Sequence, residues 1–175
     1  MLPILAMIAA GYVMKQAGQG EGGLGGALGG ILGGQPATEG TGGSAPESAG
    51  GTGGILDSLR GIGPTTGVDV EPMALDFCRE RGHADVIEAS GTELPFMDAC
   101  FDAVVALDVF EHIDDDCKAM QEAFRVLKPG GVAVITVPAY QGLWSRHDVA
   151  LHHHRRYTLG LLSQRLTDAG FAVQH

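Results

Sequence analysis

The sequence predicts an α/β domain built on a mostly parallel sheet, preceded by a glycine-rich leader. Three observations predict it. From Thr66 onward, short β-branched or apolar runs alternate with segments of helical period. One of these runs, "FDAVVALDV", is apolar through its middle, as strands covered on both faces are. The composition also changes sharply along the chain. Of 28 glycines, 19 lie in residues 1–62, whereas 17 of the 21 acidic residues and all seven histidines lie beyond. A division into residues 1–62 and 63–175 follows.

Residues 2–14, "LPILAMIAAGYVM", form an apolar run. It is shorter than the roughly 20 residues a helix needs to span a bilayer. No Lys or Arg precedes Lys15, which argues against a secretory signal. The run reads as a short helix packed on a partner, with membrane contact as the lesser alternative. The glycine-rich stretch that follows resembles, in composition, the Gly/Leu-rich tail of a bacterial family of unknown function. Its later part, "QPATEGTGGSAPESAGGTGG", has too few large apolar groups to offset chain entropy and reads as disordered.

The second region begins with "TGVDV", a short buried strand. Pro72 opens the helix "PMALDFCRERG", with Met73, Phe77 and Cys78 on one face and Gly82 as its stop. "ADVIEA" is a second strand and "FDAVVALDV" a third. In "DDDCKAMQEAFRVLKPGG", Cys117, Met120, Phe124 and Leu127 recur at spacings of 3, 4 and 3. Asp114, Asp115 and Asp116 sit at the positive end of that helix's dipole. "VAVITVP" is a fourth strand. Thr158 caps a last helix, "LGLLSQRLTDAG", and "FAV" is a final strand. Ligands of such a sheet bind at the carboxyl ends of its strands.

The net charge of −10 argues against non-specific nucleic-acid binding, which needs a basic footprint. It fits a small-molecule or lipid-like substrate. Cys78, Cys100 and Cys117 are odd in number and lack metal-like spacing, which fits reduced thiols in a cytoplasmic protein.

Four motifs in order, "GVDVEPMALDFCRERG", "ELPFMDACFDAVVALDVFEHIDD", "RVLKPGGVAVITVP" and "HHHRRYT", resemble the class I S-adenosylmethionine-dependent methyltransferases. They are most similar to the group that includes quinone-biosynthesis enzymes, and the resemblance covers residues 66–175. It implies a Rossmann-like sheet, S-adenosylmethionine as cofactor and methyl transfer to a small-molecule or lipid-like acceptor. Asp69, followed by Val70 at the strand end, is expected to accept the ribose hydroxyls; capping of the next helix is its other reading. The loop "ASGTELPF" is expected against the adenine, through the Gly91 amide and Leu94. Ser90 stands where relatives often carry Asp. Leu107 and Asp108 end the third strand near the methionine part. His112 is the candidate catalytic residue, with packing or capping as the equal alternative. His152, Arg155, Arg156 and Tyr157 are expected to face the substrate, with salt bridges as the competing role of the arginines. No metal is expected. The neighbouring His147, His152, His153 and His154 point in different directions, and no Cys or spaced carboxylate completes a set.

The stretch "GIGPTTGVDVEP" limits this picture. A full domain of the family begins with a strand, a glycine-rich turn and a helix before its acidic strand. If "ILD" at Ile55–Asp57 is that first strand, residues 58–65 leave eight positions for a crossover. A parallel crossover needs at least about 10–12. Gly61 and Gly63 are therefore expected to mark a junction rather than a cofactor loop. The expected sheet is incomplete. It lacks its central first strand, leaving two half-sheets across a gap, and lacks a final antiparallel strand. Activity is expected to be impaired, or the region to be a non-catalytic remnant serving as an interaction module.

Overall fold

The computed structural model describes residues 3–7 and 52–174. In chain order the elements are β1 (Ile4–Met7), α1 (Thr52–Arg60), β2 (Thr65–Asp69), α2 (Pro72–Glu80), β3 (Val86–Glu88), β4 (Phe101–Leu107), α3 (Asp116–Val126), β5 (Leu127–Thr136), α4 (Arg146–Ala150) and α5 (Leu159–Ala169). Short 3₁₀ turns occur at Phe110–His112 and Gln141–Leu143. The five strands form one parallel sheet in the order β3-β2-β1-β4-β5.

The centre of that sheet corrects the sequence expectation. Ile4–Met7 is a strand, not a helix packed on a partner or a membrane. It pairs in parallel with β2 (Met7 opposite Val68) and with β4 (Leu5 opposite Val104). Its four residues are all at most 3 % exposed. A central strand covered on both faces and both edges selects an unbroken apolar run, which "ILAM" supplies. The half-sheets across a gap are thus not observed. The steric argument behind them also lapses, because "ILD" lies inside α1 and β1 precedes Thr65 by a long span of sequence. Gly61 and Gly63 belong to the turn between α1 and β2, where the amides of Ile62 and Gly63 both donate to the Leu59 carbonyl. That turn is at the amino ends of the strands, so these glycines lie at the opposite edge of the sheet from any ligand crevice. The disorder expected of the glycine-rich stretch lies outside the described residues.

Around the sheet, Cys78 and Met120 are buried as their spacing predicts, but the rest of the two helix faces differs from expectation. In α2 the buried residues are Ala74, Leu75 and Cys78, while Met73 is exposed and Phe77 lies beneath the Arg81 guanidinium. In α3 they are Asp116, Ala119, Met120, Ala123 and Val126. Small alanines allow α3 to lie close to the sheet. Cys117 is exposed, and Phe124 packs edge-on against Phe171 at the rim. Asp115 caps α3 by accepting from the Lys118 amide. Thr158 caps α5 by accepting from the Leu161 amide, and Gly170 ends it in the left-handed region.

β5 begins directly after α3. Pairing is interrupted at Lys128–Gly131 and resumes at Val132 opposite Ala103. Gly131 is required there, since a Cβ would meet the carbonyl oxygens of Lys128 at 2.9 Å and Asp102 at 3.0 Å. "FAV" is not a strand; Phe171 and Val173 instead pack on the main core. β5 is an edge of the sheet among the described residues. No helix among them is long and apolar enough to cross a membrane.

Candidate functional site

In a sheet of this order, the crossovers diverge on either side of β1, and a crevice opens at the carboxyl ends of the strands. A cleft of about 400 Å³ lies there. That volume falls in the range of about 300–1,000 Å³ usual for small-molecule sites. Met7 at the end of β1, Asp69 at the end of β2, Ala89 after β3 and Val109 after β4 all line it. Ser90, Gly91, Thr92, His112, Asp114 and His154 complete most of the wall.

Asp69 is 2 % exposed, and its Oδ1 accepts from the Glu71 amide at 2.9 Å. This bond fixes the carboxylate at the cleft wall and holds the chain as it turns into α2. Val70 lines the cleft beside it. Ser90 and Thr92 share a 2.8 Å hydroxyl contact, and the Ser90 carbonyl accepts from the Glu93 amide. The loop is thereby curled with Gly91 against Met7 and Ile113.

Leu94 is not part of this wall. It is buried in the core, where its amide donates to Glu122 and its carbonyl accepts from Arg125. Arg125 also binds the Phe96 carbonyl and Asp98, so it ties the whole 94–98 loop to α3. Leu107 and Asp108 also lie off the lining. Asp108 takes a left-handed backbone (φ 52°), and its Oδ1 accepts from the Thr136 hydroxyl on β5.

Beyond β4, the 3₁₀ turn Phe110–His112 is wholly buried. Burial pushes the Glu111 carboxyl up to about 8, with Asp108 and Asp148 adding to the effect against an opposing backbone hydrogen bond. Burial holds His112 down at about 4, with His153 reinforcing it. At neutral pH the pair is therefore an uncharged acid beside an uncharged imidazole. The His112 and His153 rings meet edge to face, with centroids 4.6 Å apart.

The segment after α4 is built around two buried carboxylates. Tyr157 is 2 % exposed and donates its hydroxyl to Asp116 at 2.6 Å. Arg155 binds Asp116 at 2.7 Å and the Ile113 carbonyl, and Arg165 binds the same carboxylate. Arg156 grips both oxygens of the fully buried Asp148, at 2.7 and 2.9 Å. Buried carboxylates demand such partners, so these side chains knit α3, α4 and α5 together, and Arg155 and Arg156 take the salt-bridge role that competes with substrate contact. His152 is exposed with a left-handed backbone, and His154 is the member of the run that reaches the cleft.

Sequence reasoning missed three participants. Asp148 organises the loop. It closes a capping box with Ser145, receives Arg156 and bonds His153 Nδ1 at 3.0 Å. Glu111 and His153 come together with His112, their ligating atoms all within 4.8 Å of one another. The Glu111 carboxylate comes to the histidine run from another part of the chain. The "FEH" triplet was the available signal, since a Glu in an otherwise apolar turn needs a reason to be there.

The chain matches the profile of a family described as "Methyltransferase domain" over residues 47–135, about half its length. It is 33 % identical over 111 residues to a Mycolicibacterium smegmatis protein described as "Probable S-adenosylmethionine-dependent methyltransferase", covering 62 % of this chain and 43 % of that one. The chain thus spans less than half the length of that curated relative. Among solved structures, phosphoethanolamine N-methyltransferase 2 of Haemonchus contortus, in complex with S-adenosylmethionine, superposes with a TM-score of 0.62 at 20 % identity. The match covers 97 % of this chain and 33 % of that one. The [4+2]-cyclase SpnF gives 0.63 at 21 % identity, covering 99 % and 53 %. These two likenesses show the fold. With the profile match, the parallel sheet and the crevice at its carboxyl edge, the chain belongs to the methyltransferase-domain family, whose cofactor is S-adenosylmethionine.

Proposed function

We propose that the cleft binds S-adenosylmethionine and that the chain transfers its methyl group to a small-molecule or lipid-like acceptor. The observation that carries this reading is the convergence of Asp69, Gly91 and His112 on one cleft from three different strand ends. Asp69 is the ribose acceptor, its carboxylate already oriented by the Glu71 amide. Val70 and the Ser90–Thr92 turn lie along the adenosine side. The carboxylates of Asp69, Asp114 and Asp115 give the cleft a negative lining, which suits a sulfonium cation.

Methyl transfer asks for orientation and exclusion of water more than for an acid or base, because the sulfonium is already activated. Its imidazole is uncharged, so His112 meets an incoming acceptor as a neutral part of the cleft wall. With its proton affinity so depressed, His112 orients better than it removes protons.

The expected impairment rested on the short span ahead of Asp69, and that argument does not apply once Ile4–Met7 is the first strand. A second reading remains because the fold of SpnF carries a cyclase, so the fold alone does not dictate methyl transfer. Incubation with methyl-labelled S-adenosylmethionine and pooled small-molecule or lipid acceptors tests the proposal. Formation of S-adenosylhomocysteine together with a labelled product supports it. Cofactor binding with no turnover on any acceptor class favours the second reading.

A further inference from the structure

We infer that Glu111, His112 and His153 form a binding site for one divalent transition-metal ion of the zinc or cobalt class, set in the wall of the cleft. The three donor atoms come from two separate parts of the chain, the turn after β4 and the loop after α4, and lie within 4.8 Å of one another. Two imidazoles and one carboxylate are a ligand set for borderline divalent ions, with further positions open to water or substrate. Tetrahedral nitrogen and oxygen ligands stand roughly 3.4 Å apart, so an ion would draw these side chains inward by about 1 Å.

Two further observations point to a ligand. Glu111 is 1 % exposed, and its Oε2 is buried with no hydrogen-bond partner among the described residues. A carboxylate oxygen in that position is costly to bury, and a cation bound to it removes the cost. The outer shell is also built. Asp148 Oδ1 engages His153 Nδ1 at 3.0 Å, which leaves the other ring nitrogen as the ligating atom. Asp148 is itself held by Arg156 and by the Ser145 amide at 2.8 Å. A carboxylate that orients a histidine in this way is the usual support of a metal ligand. His112 also lines the cleft, so a bound ion would sit beside it, behind that wall.

The test uses the full chain, stripped with a chelator and titrated with Zn²⁺ and with Co²⁺. The expected result is one ion per chain, with a Co²⁺ ligand-field spectrum of nitrogen and oxygen ligation. Glu111→Gln and His153→Gln should each weaken Zn²⁺ binding by at least about tenfold. The double variant His147→Gln/His152→Gln, which removes two exposed histidines, should bind as the unaltered chain does. Absence of stoichiometric uptake overturns the inference. So does uptake that Glu111→Gln leaves intact, or uptake abolished in the His147/His152 variant. If a buried-site variant fails to fold, the double variant and the cobalt spectrum decide. None of these readouts depends on methyl transfer.

Discussion

Leu5 and Val104 face one another across the β1–β4 pair, and both are fully buried. This contact joins a segment at the start of the chain to the middle of the domain, and it fixes where the cleft opens. Met7, two residues further along β1, lines that cleft. The start of the chain and the cleft are thus joined in one sheet.

Leu5→Ala should destabilise the chain by about 2–5 kcal/mol, the cost of emptying a packed core position. Leu161→Ala, at a half-exposed position of α5, should cost much less. Urea unfolding followed by circular dichroism measures both. A Leu5→Ala cost no larger than that of Leu161→Ala would show that β1 is not an integral strand.

Gly131→Ala and Gly160→Ala should have opposite signs. At Gly131 a Cβ meets two backbone oxygens, at 2.9 and 3.0 Å, so the strand must shift, at a cost of about 1–3 kcal/mol. At Gly160, within α5, a Cβ meets nothing within 4 Å. Alanine there should stabilise by about 0.4–1 kcal/mol. Thermal midpoints of the two variants check the pair.

Asp116 should govern acid stability. Burial tends to raise its pKa, but the Tyr157 hydroxyl and the Arg155 and Arg165 guanidinium groups outweigh it and hold the carboxyl below the usual range. A carboxyl depressed in the folded state stabilises fully above its unfolded pKa of about 3.9 and loses that contribution as pH falls through the folded value. Unfolding free energy should therefore drop on acidification below about pH 4. Asp116→Asn should flatten that limb and cost about 3–5 kcal/mol at neutral pH, because two arginines lose their buried partner. An unchanged acid limb in the variant would remove Asp116 from this role.

The thiols should react in order of exposure. Cys117 is exposed, whereas Cys78 is buried and its thiol pKa is raised, first by burial and then by Asp69. Burial also raises that of Cys100. Alkylation of the native chain should label Cys117 first and Cys78 only with global unfolding. Peptide mass mapping over time reads the order, and early labelling of Cys78 would contradict the packing of α2.

Much of the fold is legible in the sequence because its strands and helices are long enough to show a period. β2, β4, α3 and α5 carry clear runs and cap residues. β1 does not. Four apolar residues have no period that separates a buried strand from a buried helix, and the partners of β1 are distant in sequence. The faces of α2 and α3 are legible only in part, at Cys78 and Met120, because small alanines, which carry little hydrophobic signal, fill much of each buried face. At the site, Asp69, Ser90 and Gly91 follow from their place at strand ends. The Glu111–His112–His153 cluster and the Asp148 hub do not, since only tertiary folding brings those segments together. Arg155, Arg156 and Tyr157 show the converse. Their types suit an anionic substrate, but the nearest anions are the chain's own Asp116 and Asp148.

Calorimetric titration with S-adenosylmethionine, comparing the unaltered chain with Asp69→Ala, tests the central claim most directly. The account predicts one site per chain, with binding weakened about 10–100-fold by loss of the charged hydrogen-bond acceptor. No heat from the unaltered chain at high protein concentration, or equal affinity in the variant, would contradict it.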